Sequence, residues 1–240
     1  MGKPVRVVIL GTGGTSVDIL DMLDDLRQSA GGPRYECIGF LDDDPGRQDL
    51  RIHGRPVLGP LTLAARLEGC VFVNGIGAPT NFWNKPAIIQ GTGVPADRFA
   101  TLVHPSASIS RTARLGPGSV VLHHAVVNNG ATIGSHVVIL PNAVISHDCR
   151  IGDYTCVAGG VCVSGRVVVG RNCYLGSNCT IIGDVEIGER SLVGMGSVVL
   201  HSVRPNSVVA GNPARFLRHT AAEPVAAPAA SATLLTGRRR

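Results

Sequence analysis

Two adjacent side chains, His147 and Asp148, form the pair in this sequence best suited to proton transfer. Imidazole changes its charge near neutral pH, so a histidine can take a proton from an attacking amine or hydroxyl. A neighbouring carboxylate can adjust how readily the ring accepts that proton. The alternative is that His147 is simply one of eight histidines, on a solvated face of the protein.

A glycine-rich turn near the N-terminus is the second chemical feature. Residues 11–16 (GTGGTS) follow the apolar run 5–10 and precede residues 17–26, which have apolar side chains at helical spacing. A strand, a Gly-rich turn and a helix present a helix N-terminus to an anion. Ser16 replaces the third glycine of the dinucleotide fingerprint, so the pattern indicates a nucleotide-like phosphate rather than NAD. The alternative is a tight turn that binds nothing.

Asp42 and Asp43 end a second predicted strand, residues 37–41. Acidic side chains at this point can hold ribose or sugar hydroxyls; otherwise they belong to a solvated loop or a helix cap. A third strand, residues 71–73, is followed by Gly75 and Gly77, and residues 61–67 and 86–89 have helical patterns. Residues 1–102 therefore predict a small Rossmann-like α/β domain with a short parallel sheet.

Between residues 103 and 199, every sixth residue is Val, Ile or Leu, without a break in phase. This period fits no α-helix but is typical of a hexapeptide β-helix, in which three hexads form one triangular coil. Sandwich strands, the alternative, do not keep phase over so many repeats. Glycine recurs once per coil, where we expect a corner with a backbone conformation that other residues avoid. These glycines are Gly116, Gly134, Gly152, Gly170 and Gly188.

Composition narrows the function classes. The net charge is +5, but residues 238–240 supply three of these charges, so nothing indicates nucleic-acid binding. Seven cysteines, three of them (Cys149, Cys173 and Cys179) at inward positions, indicate buried thiols in a reducing compartment. We find no signal peptide or membrane-length apolar run and expect a cytoplasmic protein. Residues 203–215 predict a loop over the last coils, and residues 218–240 a disordered tail.

Several motifs occur together in a fixed order: Gly11-Thr12-Gly13-Gly14, Gly39-Phe40-Leu41-Asp42-Asp43, His104-Pro105-Ser106-Ala107, the hexapeptide coils, Ser146-His147-Asp148-Cys149 and Gly211-Asn212-Pro213-Ala214. In this combination the chain resembles the sialic-acid O-acetyltransferase / nucleotide-sugar N-acetyltransferase family. Members of that family acetylate UDP-4-amino sugars on the way to bacillosamine, and GDP-perosamine. The resemblance covers about residues 4–217.

The resemblance implies a homotrimer of left-handed parallel β-helices spanning residues 103–217, with active sites at the subunit interfaces. Acetyl-CoA would lie between neighbouring coils, the N-terminal domain would hold a nucleotide sugar, and no metal would be needed. His147 and Asp148 match the catalytic pair of the family. The implied cofactor residues are Cys156, Gly165, Gly176, Ser177, Gly194, Met195, Gly196, Gly211, Asn212 and Pro213. The expected substrate residues are Gly11, Gly13, Gly14, Thr15, Asp42, Asp43, Gly77 and Asn142.

The repeat supports the position of the catalytic histidine. His147 lies two residues after inward-facing Ile145, so it should face outward near a corner, and Gly165 and Gly183 follow one and two coils later. We therefore expect open space beside the ring for an extended thioester arm, with a Gly165 N–H near a developing oxyanion. His123 has the same place in its own hexad, so the position in the repeat does not by itself identify the catalytic histidine.

Three positions depart from the family pattern. Thr15 and Cys156 stand where histidines are common, and Leu140 stands where an asparagine is common. All three concern the acceptor or acetyl-CoA end of the pocket, so they bear on the identity of the acceptor and leave the general base in place.

The leading prediction is transfer of an acetyl group from acetyl-CoA to the amine of a nucleotide-linked amino sugar. An alternative keeps the chemistry but changes the acceptor to a hydroxyl of a sialic-acid-like sugar, or to a non-sugar amine. Three further classes stay open. They are a β-helix metalloenzyme using histidines such as His123, His124, His136 and His147, an NAD(P)-dependent oxidoreductase, and a non-catalytic binding protein.

Overall fold

The computed structural model describes residues 3–29 and 33–220. The elements before the coils are β1 (Val5–Leu10), α1 (Gly14–Gln28), β2 (Tyr35–Leu41), β3 (Arg51–Ile52), β4 (Arg55–Gly59), β5 (Val71–Asn74) and α2 (Lys85–Gly91), with 3-10 turns at Pro45–Arg47, Leu61–Arg66, Phe82–Asn84 and Ala96–Arg98. The strands form one sheet in the order β3-β4-β2-β1-β5, parallel except for β3 against β4. The predicted Rossmann-like architecture is confirmed. Neither of the helices in the described part of the chain has the length and apolar character needed to cross a bilayer.

The carboxyl ends of three strands meet at one edge of this sheet. Gly11 N donates to Leu41 O (2.8 Å), and Gly75 N donates to Leu10 O (2.9 Å). These bonds continue the pairing of the buried strand β1 with β2 and β5 beyond the strand ends. As a result, the Gly-rich turn, the Asp42–Asp43 pair and the Gly75–Gly77 segment lie side by side, where ligands of such sheets bind.

From residue 102 the chain forms seventeen two-residue strands, one per hexad. They are β6 (Leu102–Val103), β7 (Ser108–Ile109), β8 (Arg114–Leu115), β9 (Val120–Val121), β10 (Val126–Val127), β11 (Thr132–Ile133), β12 (Val138–Ile139), β13 (Val144–Ile145), β14 (Arg150–Ile151), β15 (Cys156–Val157), β16 (Cys162–Val163), β17 (Val168–Val169), β18 (Tyr174–Leu175), β19 (Thr180–Ile181), β20 (Glu186–Ile187), β21 (Leu192–Val193) and β22 (Val198–Val199). Each strand from β6 to β19 pairs in parallel with the strand eighteen residues later, for example Ile145 with Val163. The predicted left-handed parallel β-helix is confirmed.

The prism has three faces, each a parallel sheet. Face 1 contains β6, β9, β12, β15, β18 and β21, face 2 contains β7, β10, β13, β16, β19 and β22, and face 3 contains β8, β11, β14, β17 and β20. Two corners matter below. Corner 1–2 joins face 1 to face 2 and contains residues 140–143, 158–161, 176–179 and 194–197; corner 2–3 joins face 2 to face 3 and contains residues 146–149, 164–167 and 182–185, and residues 200–202 continue it after β22.

The second residue of each central strand fills the prism. Ile139, Ile145 and Val163 are fully buried, as is Ala143, which lies two residues before Ile145. Short aliphatic and small side chains suffice because the prism is narrow, which explains why aromatic residues make up only 4% of the chain. Stacking several coils buries a continuous core that no single coil could form.

The expected reason for the periodic glycines was wrong. Gly116, Gly134, Gly152, Gly170 and Gly188 do not have positive φ; the left-handed residue comes two positions later in the hexad, as at Asn142 (φ 60°) and Asp148 (φ 59°). At Gly152 a Cβ atom would lie 2.5 Å from the backbone N of Arg171 in the next coil. The glycines are needed because the coils approach each other closely there.

The segment expected to be a terminating loop contains two strands, β23 (Ser207–Ala210) and β24 (Arg215–His219). β23 pairs in parallel with β21, matching Leu192 with Val208, and β24 pairs antiparallel with β23. This last coil step is therefore 16 residues instead of 18, which hides it from a search for a six-residue period. β24 extends past residue 217, the predicted end of the domain, and residues 221–240 of the predicted tail lie outside the described residues.

The N-terminal part packs on the outer surface of face 1. Val138 of face 1 and Leu122, which directly follows β9, share one hydrophobic cluster with Leu23 of α1. Further along the same side, Asn172 Nδ2 donates a hydrogen bond to Trp83 O (2.9 Å). These contacts hold the edge of the small sheet at which the carboxyl ends of its strands meet against the coils.

We expect Gly152→Ala to lower the free energy of unfolding by about 1–3 kcal/mol, because the added methyl group overpacks the contact between coils. Gly91→Ala is the control: a Cβ there has no neighbour within 4 Å and φ is not positive, so the change should be below about 1 kcal/mol. Denaturant unfolding at one protein concentration measures both variants. Equal stability of the two would contradict the close-approach explanation.

Candidate active site

A cavity of about 550 Å³ lies where the open edge of the sheet meets face 1 of the coils. Seven of the eight residues expected to bind substrate line it: Gly11, Gly13, Gly14, Thr15, Asp42, Asp43 and Gly77. The eighth, Asn142, is exposed on corner 1–2 and does not line the cavity. The coils contribute Leu140, Cys156 and Tyr174. Two of the three positions that depart from the family pattern, Leu140 and Cys156, therefore lie at the coil end of this cavity, and Thr15 lies at its sheet end.

The sheet end of the cavity is suited to an anion. α1 begins at Gly14, its N-cap is Gly13, and no side chain caps it. Neither glycine has a neighbour within 4 Å of a built Cβ, so the space before the helix is open. Uncapped N–H groups and the helix dipole together attract a phosphate at such a position.

The two carboxylates at the cavity rim are held by the protein itself. Asp42 Oδ2 accepts a hydrogen bond from Thr12 Oγ1 (2.6 Å), and Asp42 Oδ1 accepts from Asp44 N (3.0 Å). Asp43 Oδ1 accepts from Leu61 N (2.8 Å). These bonds brace the loops around the cavity, and each carboxylate keeps acceptor capacity for a ligand hydroxyl.

His147 and Asp148 are joined by a hydrogen bond between Nδ1 and Oδ2 (2.9 Å). Because an ionised carboxylate only accepts, the proton of the neutral ring lies on Nδ1 and the lone pair on Nε2. The left-handed backbone at Asp148 belongs to the regular corner of the coil. This arrangement is that of a general base oriented by a carboxylate.

The space expected beside His147 is partly filled by the ring itself. A Cβ built on Gly165 would lie 2.5 Å from His147 Nε2, so the imidazole rests directly over this glycine. Gly165 is therefore needed to admit the ring, and beyond it Gly183 is the one position without a side chain before His201. The His147 ring therefore lies next to the Gly165 backbone.

A column along corner 2–3 links His147 to the C-terminal end of the coils. Its members are His147, Gly165, Gly183 and His201, each eighteen residues after the last. Ile182 and Leu200 expose 46% and 42% of their surface beside the column, an apolar border in an otherwise polar corner. Three coil steps of about 4.8 Å give a path of about 14 Å.

A second cavity, of about 410 Å³, lies at the end of this column. Its lining combines cationic, aromatic and apolar side chains, among them Leu200, His201, Arg204, Arg215 and Phe216. Sequence analysis missed these residues because the six-residue period is lost after Val199. The repeat could have identified His201, because this residue follows His147 by 54 residues, or three full coils.

The residues implied for the cofactor are spread over three parts of the chain. Gly165 lies on corner 2–3, while Cys156 lies on face 1 within the cavity of about 550 Å³. Corner 1–2 carries Gly176, Ser177, Gly194, Met195 and Gly196. The segment Gly211, Asn212 and Pro213 closes onto the same corner, where Gly211 N donates to Ser197 Oγ (3.1 Å). One chain does not bring these residues together.

Within one chain, His147 also lies far from the cavity on face 1. Corner 2–3 is the corner of the triangle opposite that face, so the width of the prism separates the His147 ring from Gly77 and Cys156. His147 and the cavity are therefore separate features of a single chain.

A buried polar cluster lies between α2 and face 1. Burial lowers the pKa of Lys85 to about 8. Burial, with a further effect of Lys85, lowers the pKa of His136 to about 4. Burial raises the pKa of the Cys156 thiol, so this residue is poorly suited to act as a thiolate nucleophile at neutral pH.

The histidines considered for a metal site are dispersed. His123 and His124 lie near His104 beside α1, while His136 is stacked against Tyr154 and His147 is on corner 2–3. Among residues 3–29 and 33–220, no group of three or more His, Cys, Asp or Glu side chains could hold a metal ion.

Comparison with protein families gives two matches. Residues 6–81 match the family described as PglD N-terminal domain, and residues 130–165 and 166–201 match bacterial transferase hexapeptide (six repeats). A search of curated proteins found no match.

Three solved structures are similar over most of the chain. The acetyltransferase domain of PglB from Neisseria gonorrhoeae FA1090, in complex with acetyl coenzyme A, is 25% identical (TM-score 0.78; 90% of this chain, 100% of that chain). PerB from Caulobacter crescentus, in complex with CoA and GDP-perosamine, is 28% identical (TM-score 0.75; 89% and 97%). WeeI from Acinetobacter baumannii AYE is 23% identical (TM-score 0.70; 89% and 100%) and shares the fold.

The lowered pKa of His136 predicts a loss of stability in acid. The unfolded ring takes a proton near pH 6.5 and the folded ring near pH 4, so the unfolded state binds more protons between these values. The contribution of His136 is present above about pH 6.5 and is lost as the pH falls to 4, by about 2–3 kcal/mol.

The test compares His136→Asn with His124→Asn. Both histidines have positive φ in the same place of a hexad, but His124 is exposed. We expect the acid-induced fall in melting temperature between pH 6.5 and 4 to be shallower in His136→Asn and unchanged in His124→Asn. Identical pH profiles for His136→Asn and the wild type would contradict this prediction.

Proposed function

We propose that this chain acetylates the amine of a nucleotide-linked amino sugar. The proposal starts from its membership of the bacillosamine- and perosamine-type sugar acetyltransferases with a PglD-type N-terminal domain. The chain is an acyl-CoA-dependent acetyltransferase, and acetyl-CoA is its co-substrate. The observation that carries the acceptor class is the cavity in which an uncapped helix N-terminus, two braced carboxylates and the coils meet. The GDP-perosamine bound in the PerB structure supports the same class.

In this proposal the acceptor spans the cavity from sheet to coil. Its diphosphate binds at the N-terminus of α1, and sugar or ribose hydroxyls bind Asp42 and Asp43. The amino sugar then points towards Leu140 and Cys156. The size of about 550 Å³ is typical of a small-molecule site.

Acetyl-CoA fits the column on corner 2–3. The backbone at Gly165 and Gly183 leaves room for an extended arm, Ile182 and Leu200 give it an apolar border, and Arg204 and Arg215 offer positive charge for phosphates at the far end. When bound, it supplies the acyl carbonyl that the amine attacks.

His147 is the proposed general base. Nε2 takes the proton of the attacking amine, while Asp148 holds the Nδ1–H and stabilises the charged ring. The Gly165 N–H is the proposed donor to the developing oxyanion. The protonated ring can then return its proton to the leaving thiolate. Cys156 takes no covalent part, because burial keeps its thiol protonated.

A homotrimer completes the site. In a ring with three-fold symmetry, corner 2–3 of one chain can face corner 1–2 and the face-1 cavity of the next chain. This joins His147 to the Gly-rich cavity, and Gly165 to the cofactor residues on corner 1–2. Each trimer then has three equivalent sites, none of which belongs to a single chain.

The proposed location is the cytoplasm. All seven cysteines lie in the described part of the chain and none forms a disulfide. Free, mostly buried thiols are typical of a reducing compartment.

We expect His147→Ala to lower kcat by about 10²–10⁴-fold, because proton removal from the amine is lost. Thiol release from acetyl-CoA is measured with UDP-, GDP- and dTDP-linked 4-amino sugars and with free sialic acid. His123→Ala is the control, since His123 has the same place in its hexad but lies beside α1. Turnover of His147→Ala at the wild-type rate, or an equal fall of kcat in His123→Ala, would refute the assignment.

Mixed trimers test whether the site is shared. Gly13→Phe should block the cavity, because a side chain at Gly13 meets open space on its wall. When Gly13→Phe is co-expressed with His147→Ala, about a quarter of wild-type activity should return in a random mixture. Half of the chains then carry an intact His147 and the other half an intact cavity, so about one interface in four combines the two. Each variant alone should be inactive. No recovery in verified mixed trimers would mean that base and cavity act within one chain.

A further inference from the structure

Lys85 is a buried cation that no described residue neutralises. It is the first residue of α2, is fully buried, and its Nζ has no hydrogen-bond partner among the described residues. The chain contains only one other lysine, the exposed Lys3. An unpaired buried ammonium is costly, so its retention calls for a partner that is not part of the chain.

The amine lies directly behind the wall of the acceptor cavity. A Cβ built on Gly77 would lie 3.9 Å from Lys85 Nζ, and Gly77 lines that cavity. Cys156, which also lines it, is the residue whose charge state affects Lys85. Since Gly77 has no side chain, its backbone is the part of the cavity wall nearest to the flexible end of Lys85.

The groups that face Lys85 are neutral near pH 7. Burial raises the pKa of Cys156, and burial followed by Cys156 raises the pKa of Tyr174 to about 12. His136, whose pKa is lowered to about 4, is uncharged, and no described carboxylate contributes to the pKa of Lys85. With its own pKa near 8, the amine stays mostly protonated at pH 7.

We propose that Lys85 is an anion-binding residue of the acceptor site, whose Nζ pairs with an anionic group of the acceptor at the coil end of the cavity. The inference rests on the proposed function in taking this cavity as the acceptor site. The N-terminus of α1 receives one anion at the sheet end, so Lys85 selects acceptors with a second negative group. That group is either the second phosphate of the diphosphate, whose first phosphate lies at α1, or a carboxylate on the sugar.

The test measures binding by calorimetry for wild type, Lys85→Met, Lys85→Arg and the control Lys3→Met. The probes are inorganic pyrophosphate, UDP, GDP, dTDP, and UDP-sugars with a neutral sugar or a uronate. We expect Lys85→Met to weaken binding of the recognised anion by about 10- to 100-fold, Lys85→Arg to weaken it less, and Lys3→Met to leave it unchanged. If Lys85→Met binds pyrophosphate and all nucleotides more weakly than wild type, the partner of Lys85 is a phosphate. If it binds only the uronate more weakly, the partner is the carboxylate on the sugar.

Two further readouts separate recognition from a structural role. The melting temperature of unliganded Lys85→Met should be equal to or higher than that of wild type, because an unpaired buried charge is removed. At pH 9, anion binding to wild type should draw a proton onto Lys85, seen as a binding heat that depends on the buffer and is absent in Lys85→Met. A lower melting temperature together with weaker acetyl-CoA binding would overturn the proposal in favour of a structural role.

The inference and the proposed function fail in different ways. Unchanged affinity of Lys85→Met for every probe, or no binding of any probe to wild type, overturns the role of Lys85. Lys85-dependent anion binding in a protein that acetylates no nucleotide-linked amino sugar supports the inference and refutes the proposed function.

Discussion

The stacking of coils at a fixed step is the constraint on which the rest of the structure depends. Backbone hydrogen bonds join each coil to the next, so that strands eighteen residues apart are paired, and buried aliphatic side chains fill the prism. Because the step is constant, each position of the coil becomes a straight column on the surface. The glycines are the cost of this regularity: at Gly152 and its equivalents, the next coil leaves no room for a Cβ atom.

The columns give the corners different chemistry. On corner 2–3, Gly165 admits the His147 ring and Gly183 adds no side chain, so the proposed general base lies at one end of an open path. Face 1 is instead covered by the N-terminal part, which adds a cavity with an uncapped helix N-terminus. The prism keeps these two parts of one chain apart, and this rigidity is the physical reason to propose a site assembled between chains.

The sequence predicted the coils well because their period is strict and local: all seventeen aliphatic positions fall in strands. It also placed the Gly-rich turn and Asp42–Asp43 together, since parallel strands end at a common edge. It did not predict the last coil, in which a 16-residue step breaks the phase. Nor did it find Lys85, whose burial depends on how α2 docks against face 1, a contact that leaves no periodic signal.

The central claim is that base and acceptor cavity come from different chains. The most direct measurement is an experimental structure of the assembly with CoA and a nucleoside diphosphate bound. The account predicts a trimer in which the sulfur of CoA lies beside His147 of one chain and faces the Gly77 cavity of the next, with the diphosphate at the N-terminus of α1. A monomer, or CoA bound beside the cavity of a single chain and away from any His147, would contradict it.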